Sequence, residues 1–70
     1  MADRRLGTRL KDARTAQGLT QAELALRVSV SRKTINTIEN SVFIPSTLLA
    51  LALARALGTT VEDLFFIIEK

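Results

Sequence analysis

The chain contains no cysteine, histidine, tryptophan or tyrosine, and its 70 residues include only one proline and three glycines. Each absence excludes something. Without cysteine there is no disulfide to staple a small core, and without cysteine or histidine there is no ligand set for a structural metal, so neither a metal nor a cofactor is expected. The same gaps remove the usual nucleophile–base pairs. No glycine-rich phosphate loop occurs, and the neighbouring carboxylates Glu62 and Asp63 read as first-turn helix charges rather than as an acid–base pair. A chain this short buries only about 60% of the surface it exposes when unfolded, which leaves no room for a deep catalytic cavity beside a core. An enzyme is therefore not expected, and function belongs on the surface.

Long apolar runs are missing too. The most apolar stretch, residues 46–57, falls well short of the ~20 residues of a bilayer span and carries Arg55, so it reads as a buried helix and no membrane partner is expected. Met1-Ala2-Asp3-Arg4-Arg5 leads into a charged helix instead of an apolar leader, which points to the cytoplasm. Repeats, low-complexity tracts and linkers are absent, and residues 1–70 read as one domain. A core of this size rarely supplies more than ~3–5 kcal/mol, so either the helices pack efficiently or a partner subunit contributes.

What the sequence does have is basic charge and clear helix punctuation. Ten Lys and Arg stand against seven Asp and Glu, a net charge of +3 and a pI near 10.2. That balance favours a polyanion partner but also serves solubility, so the placement of the charge decides. Leu6, Leu10 and Ala13 recur at i, i+4, i+7 in a first helix that stops at Gly18. Thr20-Gln21-Ala22-Glu23 is a capping box opening a second helix that runs to about Val28. Ser31 is the N-cap of a third helix ending near Asn40, so only the tight Ser29-Val30 turn separates the two. Pro45 and Ser46 open a fourth helix, apolar nearly all round and closed by Gly58, which implies central burial. Thr60 starts a fifth, and the segment after it, Leu64 to Ile68, is too apolar to lie in water unaided. The expected fold is all-α, a compact five-helix domain.

At ~100° per residue, Arg32, Lys33, Asn36, Thr37 and Asn40 share one arc of the third helix, opposite Ser31, Thr34, Ile35 and Ile38. The commoner role of such residues is to solvate an amphipathic helix. The frame around them favours another: a capping box, a small Ala25 that lets two helices approach, a short turn, and two isoleucines facing inward. Their chemistry suits base edges in a major groove, with a forked guanidinium for guanine, an ammonium, a carboxamide for adenine, and a Thr37 hydroxyl and methyl for thymine.

The segments Gly18-Leu19-Thr20-Gln21-Ala22-Glu23-Leu24-Ala25 and Val30-Ser31-Arg32-Lys33-Thr34-Ile35-Asn36-Thr37-Ile38-Glu39-Asn40 resemble the Cro/repressor (XRE-type) helix-turn-helix family, over about Leu6 to Phe65. The resemblance implies a lambda-repressor-like DNA-binding domain with its helix-turn-helix at about residues 20–40. It also implies a bacterial or phage transcription regulator, acting as a dimeric repressor on a pseudo-palindromic operator in double-stranded DNA. Carried onto matching positions, it implies that Arg32, Lys33, Thr37 and the neighbouring Asn36 read bases. Thr20, Gln21, Ser31 and Asn40, the last through its backbone amide, then contact phosphates. Arg14 and Glu39 match a structural ion pair, direct phosphate contact being the alternative for Arg14. Two departures stand out. Ser29 occupies the place of a glycine in a left-handed turn, at a cost of ~1–2 kcal/mol. Ser41-Val42-Phe43-Ile44-Pro45 replaces a glycine and a basic loop, with Phe43 expected to pack beneath it.

A single reading helix spans few base pairs, so specificity calls for two copies ~34 Å apart on the duplex. The expected dimerisation segment is about residues 61–70, with Phe66, Ile67 and Ile68 as a short strand pairing across the two-fold axis. The alternative is that this tail folds back on its own core. A second functional reading also stands: an antitoxin or other protein-interaction module of the same fold, whose apolar loop or tail captures a protein partner.

Overall fold

Residues 4–69 are described by the computed structural model. Met1 to Asp3 and Lys70, the ends of the expected charged leader and dimerisation segment, lie outside the described residues. The order of elements is β1 (Arg4–Thr8), α1 (Leu10–Ala16), α2 (Gln21–Arg27), α3 (Arg32–Glu39), α4 (Thr47–Ala56), α5 (Val61–Leu64) and β2 (Phe65–Glu69).

Four helices begin where a hydroxyl accepts an otherwise unpaired backbone N–H, an arrangement worth about 1 kcal/mol each. Thr20 accepts from the Glu23 N–H at 3.0 Å while the Glu23 carboxylate accepts from the Thr20 N–H at 2.9 Å, completing the capping box. Ser31, Ser46 and Thr60 cap α3, α4 and α5 by accepting from Thr34, Leu49 and Asp63 at 3.2, 3.1 and 3.1 Å. α1 differs. Its N-cap residue, Arg9, makes no side-chain cap, and the Thr8 hydroxyl one residue earlier accepts the Leu10 N–H at 3.0 Å instead. At its far end Gly18 takes φ +70, which lets the Gly18 and Leu19 N–H groups turn back to the Thr15 and Arg14 carbonyls at 3.0 and 3.2 Å.

Every helix sends at least one side chain into the centre: Leu10, Leu24, Ile35, Ile38, Leu53 and Leu64 are all less than 2% exposed. Full burial of a Leu or Ile contributes ~1.5–3 kcal/mol, so these six residues dominate the stability of the fold. Ala25 lies buried on α2, and its carbonyl accepts the Val30 N–H at 3.0 Å, closing the turn into α3. Ser29 sits in that turn at φ 60, the left-handed conformation its position implied.

The N-terminus departs from expectation. Residues 4–8 form a strand, not the start of a helix, and Leu6 lies on β1 rather than in phase with Leu10 and Ala13. The cause is non-local. Phe65, Phe66, Ile67 and Ile68 are strong strand formers that leave an unpaired edge unless another strand covers it. Arg4 to Thr8, with a single apolar residue and a glycine, has too little helix preference to resist that pairing. The two strands run antiparallel with Leu6 opposite Ile67, Gly7 opposite Phe66 and Thr8 opposite Phe65.

The same pairing gives Phe66 contacts within its own chain. Its ring lies over Gly7, where any Cβ would collide with it, and the Arg9 guanidinium stacks above at 4.3 Å from the ring centroid. Phe66 is thus packed within its own chain, and β2 pairs with β1 of the same molecule. Ile67 and Ile68 remain exposed. Two burial expectations also change. α4 is not buried all round, since Leu48 and Leu51 face solvent while Ala50, Leu53 and Ala54 enter the core, and Phe43 is half-exposed rather than tucked under its loop.

Candidate nucleic-acid interface

The site is built around a hydrogen-bonded chain that crosses three helices. Arg14 of α1 is buried at 8% exposure. Its Nε and Nη2 donate to the two carboxylate oxygens of Glu39, at the end of α3, at 2.6 and 3.1 Å. Its Nη1 donates to the Leu19 carbonyl at 2.8 Å. The fork-to-fork geometry fixes α1 against α3 in orientation as well as distance. Hydrogen bonding to Glu39, with charge attraction adding to it and burial opposing, raises the Arg14 pKa above its already high ordinary value. With each guanidinium nitrogen engaged inside the protein, Arg14 is withdrawn from the surface where a phosphate would lie.

Glu39 passes this order outward. Its Oε1 also accepts from Gln21 Nε2 at 3.1 Å, and Gln21 Oε1 in turn accepts from Arg32 Nη1 at 3.2 Å. An exposed guanidinium at the start of α3 is therefore tied, through a half-buried carboxamide, to a buried ion pair. The residue types alone named Gln21 and Arg32 separately; their contact depends on how α2 packs on α3. Gln21 keeps one N–H free for a phosphate.

Charge at this end of α3 runs against helix stability. Arg32 and Lys33 are both exposed in the first turn, which carries no acidic residue. The positive end of the helix dipole disfavours cations there by ~0.3–1 kcal/mol. Such a placement serves contact with an external anion better than it serves the fold.

The other residues singled out by sequence are more constrained. Asn36 and Thr37 are half-buried. Thr37 donates its hydroxyl proton to the Thr34 carbonyl at 2.9 Å, leaving its methyl group and oxygen lone pairs for a neighbour. Asn40 Nδ2 donates to the Asn36 carbonyl and Oδ1 at 3.0 and 3.3 Å. The Asn40 backbone N–H, which the resemblance offered to a phosphate, donates to the Asn36 carbonyl at 3.1 Å. Thr20 and Ser31 are exposed but occupied as caps, Ser31 also sharing a hydrogen bond with the Thr34 hydroxyl at 3.0 Å. The following loop turns on Ser41 at φ 59 and presents Val42, Phe43 and Ile44 instead of cations.

Two short helices packed across a tight turn, the second opening on outward-facing cations, define a helix-turn-helix unit, the class of protein that lays one helix in a DNA groove. A family profile described as Helix-turn-helix matches residues 10–64, and the chain belongs to the Cro/C1-type (XRE) helix-turn-helix transcriptional regulators. An HTH-type transcriptional regulator of Methanothermobacter thermautotrophicus is 46% identical over 63 residues, covering 89% of this chain and 91% of its own. The regulator YgzD of Bacillus subtilis is 36% identical over 62 residues, covering 89% and 94%. Among solved structures, the restriction-modification controller protein C.AhdI of Aeromonas hydrophila aligns with a TM-score of 0.75 at 33% identity, over 79% of this chain and 83% of that one. The clp gene regulator ClgR of Corynebacterium glutamicum aligns with a TM-score of 0.73 at 31% identity, over 77% of this chain but only 57% of its own length. The fold is thus the lambda-repressor-like one, extended by the β1–β2 ribbon, and the protein is a transcriptional regulator with a helix-turn-helix DNA-binding domain. No helix among the described residues is long and apolar enough to cross a membrane.

Proposed function

We propose that the protein is a repressor that binds a pseudo-palindromic operator as a homodimer, with α3 of each copy in the major groove. The observation that carries this reading is the tethered Arg32. Its guanidinium is held by Gln21, which is itself held by the Arg14–Glu39 pair, so it meets a guanine with part of its rotamer freedom already removed. Lys33, Asn36 and Thr37 complete the base-reading face. Thr20, Gln21, Ser31 and Asn40 flank it toward the phosphates. Two copies supply the length of sequence that one short helix cannot read, and a dimer covering its site excludes polymerase without further machinery.

Selection of bound duplexes from a random pool tests this directly. The expected product is a pair of inverted half-sites centred ~34 Å apart. On that site Arg32→Ala costs ~1–3 kcal/mol and relaxes one base pair per half-site, whereas Gln21→Ala removes a phosphate clamp, weakening all sequences, and with the tether of Arg32 gone also lowers the preference at that base pair. A pool without enrichment, or an Arg32→Ala protein with unchanged preference, refutes the reading.

A further inference from the structure

Asn36 and Asn40 stand one turn apart, Asn36 half-buried within α3 and Asn40 exposed as its C-cap. Asn40 Nδ2 donates toward two oxygens of the same residue, the Asn36 main-chain carbonyl at 3.0 Å and Asn36 Oδ1 at 3.3 Å. A carboxamide carries a donor on one arm and an acceptor on the other, and turning it over exchanges them unless its neighbours decide. Here they decide. A main-chain carbonyl can only accept, so the arm of Asn40 beside it has to be the nitrogen. The arm of Asn36 that meets this nitrogen has then to be the oxygen.

The consequence lies at the other arm. With Oδ1 drawn toward Asn40, Asn36 is left with its amide nitrogen, and no group among the described residues accepts from it. Every fully buried side-chain nitrogen or oxygen among the described residues has a hydrogen-bond partner, so Asn36 Nδ2, which has none, lies within reach of an external one. Asn36 therefore meets whatever approaches α3 as a donor. In the major groove each base offers either a keto oxygen, O6 of guanine or O4 of thymine, or an amino group, N6 of adenine or N4 of cytosine. A donor pairs with the first and is set N–H against N–H by the second.

We propose that Asn36 donates from Nδ2 to the keto oxygen of a guanine or thymine, and that Asn40 is the positioning residue that fixes this sense. The proposal rests on the reading above, with α3 in the major groove. A carboxamide free to turn suits either kind of base, and adenine best, because it can give and take one hydrogen bond there. The link to Asn40 makes it a reader of one kind only.

The test uses the full chain and the operator selected from the random pool, with circular dichroism to confirm that each variant is folded. The base pair at which Asn36→Ala loses its preference is the one Asn36 faces. At that pair each exocyclic group is deleted in turn. 2-Aminopurine for guanine or 5-methylpyrimidin-2-one for thymine removes the keto oxygen, and purine for adenine or pyrimidin-2-one for cytosine removes the amino group. Loss of the keto oxygen should weaken the wild type about tenfold more than it weakens Asn36→Ala, within the range that one base contact discriminates. Loss of the amino group should weaken the two proteins alike, and the comparison cancels any change in the duplex itself. Reversing the pair, so that the amino base faces Asn36, should likewise cost the wild type about tenfold and Asn40→Ala far less, because the released carboxamide can turn over. A merely structural Asn40 would weaken both orientations equally. Dependence on the amino group in place of the keto oxygen, an Asn40→Ala protein with unchanged preference, or an Asn36→Ala protein that shifts preference at no base pair overturns the assignment and leaves the operator reading intact. A pool without enrichment overturns the operator reading on which it stands.

Discussion

Replacing Glu39 with alanine strips the buried Arg14 guanidinium of both carboxylate contacts and leaves it only the Leu19 carbonyl. Breaking one partner of a buried pair costs ~3–5 kcal/mol, because the remaining charge stays out of water without compensation. The whole domain has about that much stability to lose. With a urea dependence of ~1 kcal/mol per molar, the low end for a chain of this size, the unfolding midpoint should fall by ~3 M or more, leaving a largely unfolded protein in buffer. Urea titration followed by far-ultraviolet circular dichroism reads this directly. The double variant Arg14→Met, Glu39→Leu should fold nearly as well as wild type, since an apolar pair of similar volume replaces a buried ion pair at little or no cost. It should nevertheless bind its operator about tenfold more weakly, because Gln21 loses its anchor and Arg32 its tether, a difference of ~1.4 kcal/mol. A Glu39→Ala midpoint within ~0.5 M of wild type would refute the reasoning, since it would give the pair only the worth of an exposed salt bridge.

Gly7→Ala should cost ~1–3 kcal/mol by thermal denaturation, because the added methyl meets the Phe66 ring and the β1–β2 ribbon must open; unchanged stability would show that the ring moves aside freely. Ser41→Gly relieves a left-handed serine at φ 59 and should stabilise by up to about 1 kcal/mol, raising Tm by ~4 °C, with Ser29→Gly at φ 60 behaving alike; a lower Tm counts against the strain. Acid should act through two carboxyls. Glu23 is held below the ordinary carboxylate range by the Thr20 backbone N–H and then its hydroxyl, and Asp63 by the hydroxyls of Thr60 and Thr59. Because both titrate lower in the folded chain than in the unfolded one, their contribution is complete above the unfolded pKa near ~4 and is lost as pH falls through the folded values. Glu23→Gln should therefore flatten the decline of the urea midpoint on acidification, and an unaltered slope would remove Glu23 from the account.

The starts of α2, α3, α4 and α5 were legible because a cap is a local device: a hydroxyl at Thr20, Ser31, Ser46 or Thr60 satisfies an N–H three residues on, and both groups sit in the same short stretch of sequence. The polar face of α3 was legible for a similar reason, since a helical period sorts Ile35 and Ile38 from Arg32 and Lys33 wherever the helix is placed. The left-handed backbone of Ser29 was legible only through the resemblance, which has a glycine at that place. Tertiary structure alone decided the rest. Arg4 to Thr8 became a strand because a segment about 60 residues later offered an edge, and no local preference encodes such a distant partner. Leu48 and Leu51 look as buried in sequence as Leu53, yet only one side of α4 meets the core, and which side depends on how the other helices surround it. The link from Arg14 through Glu39 and Gln21 to Arg32 likewise exists only once three helices have packed, because its members come from separate turns of chain and are joined by geometry, not by spacing.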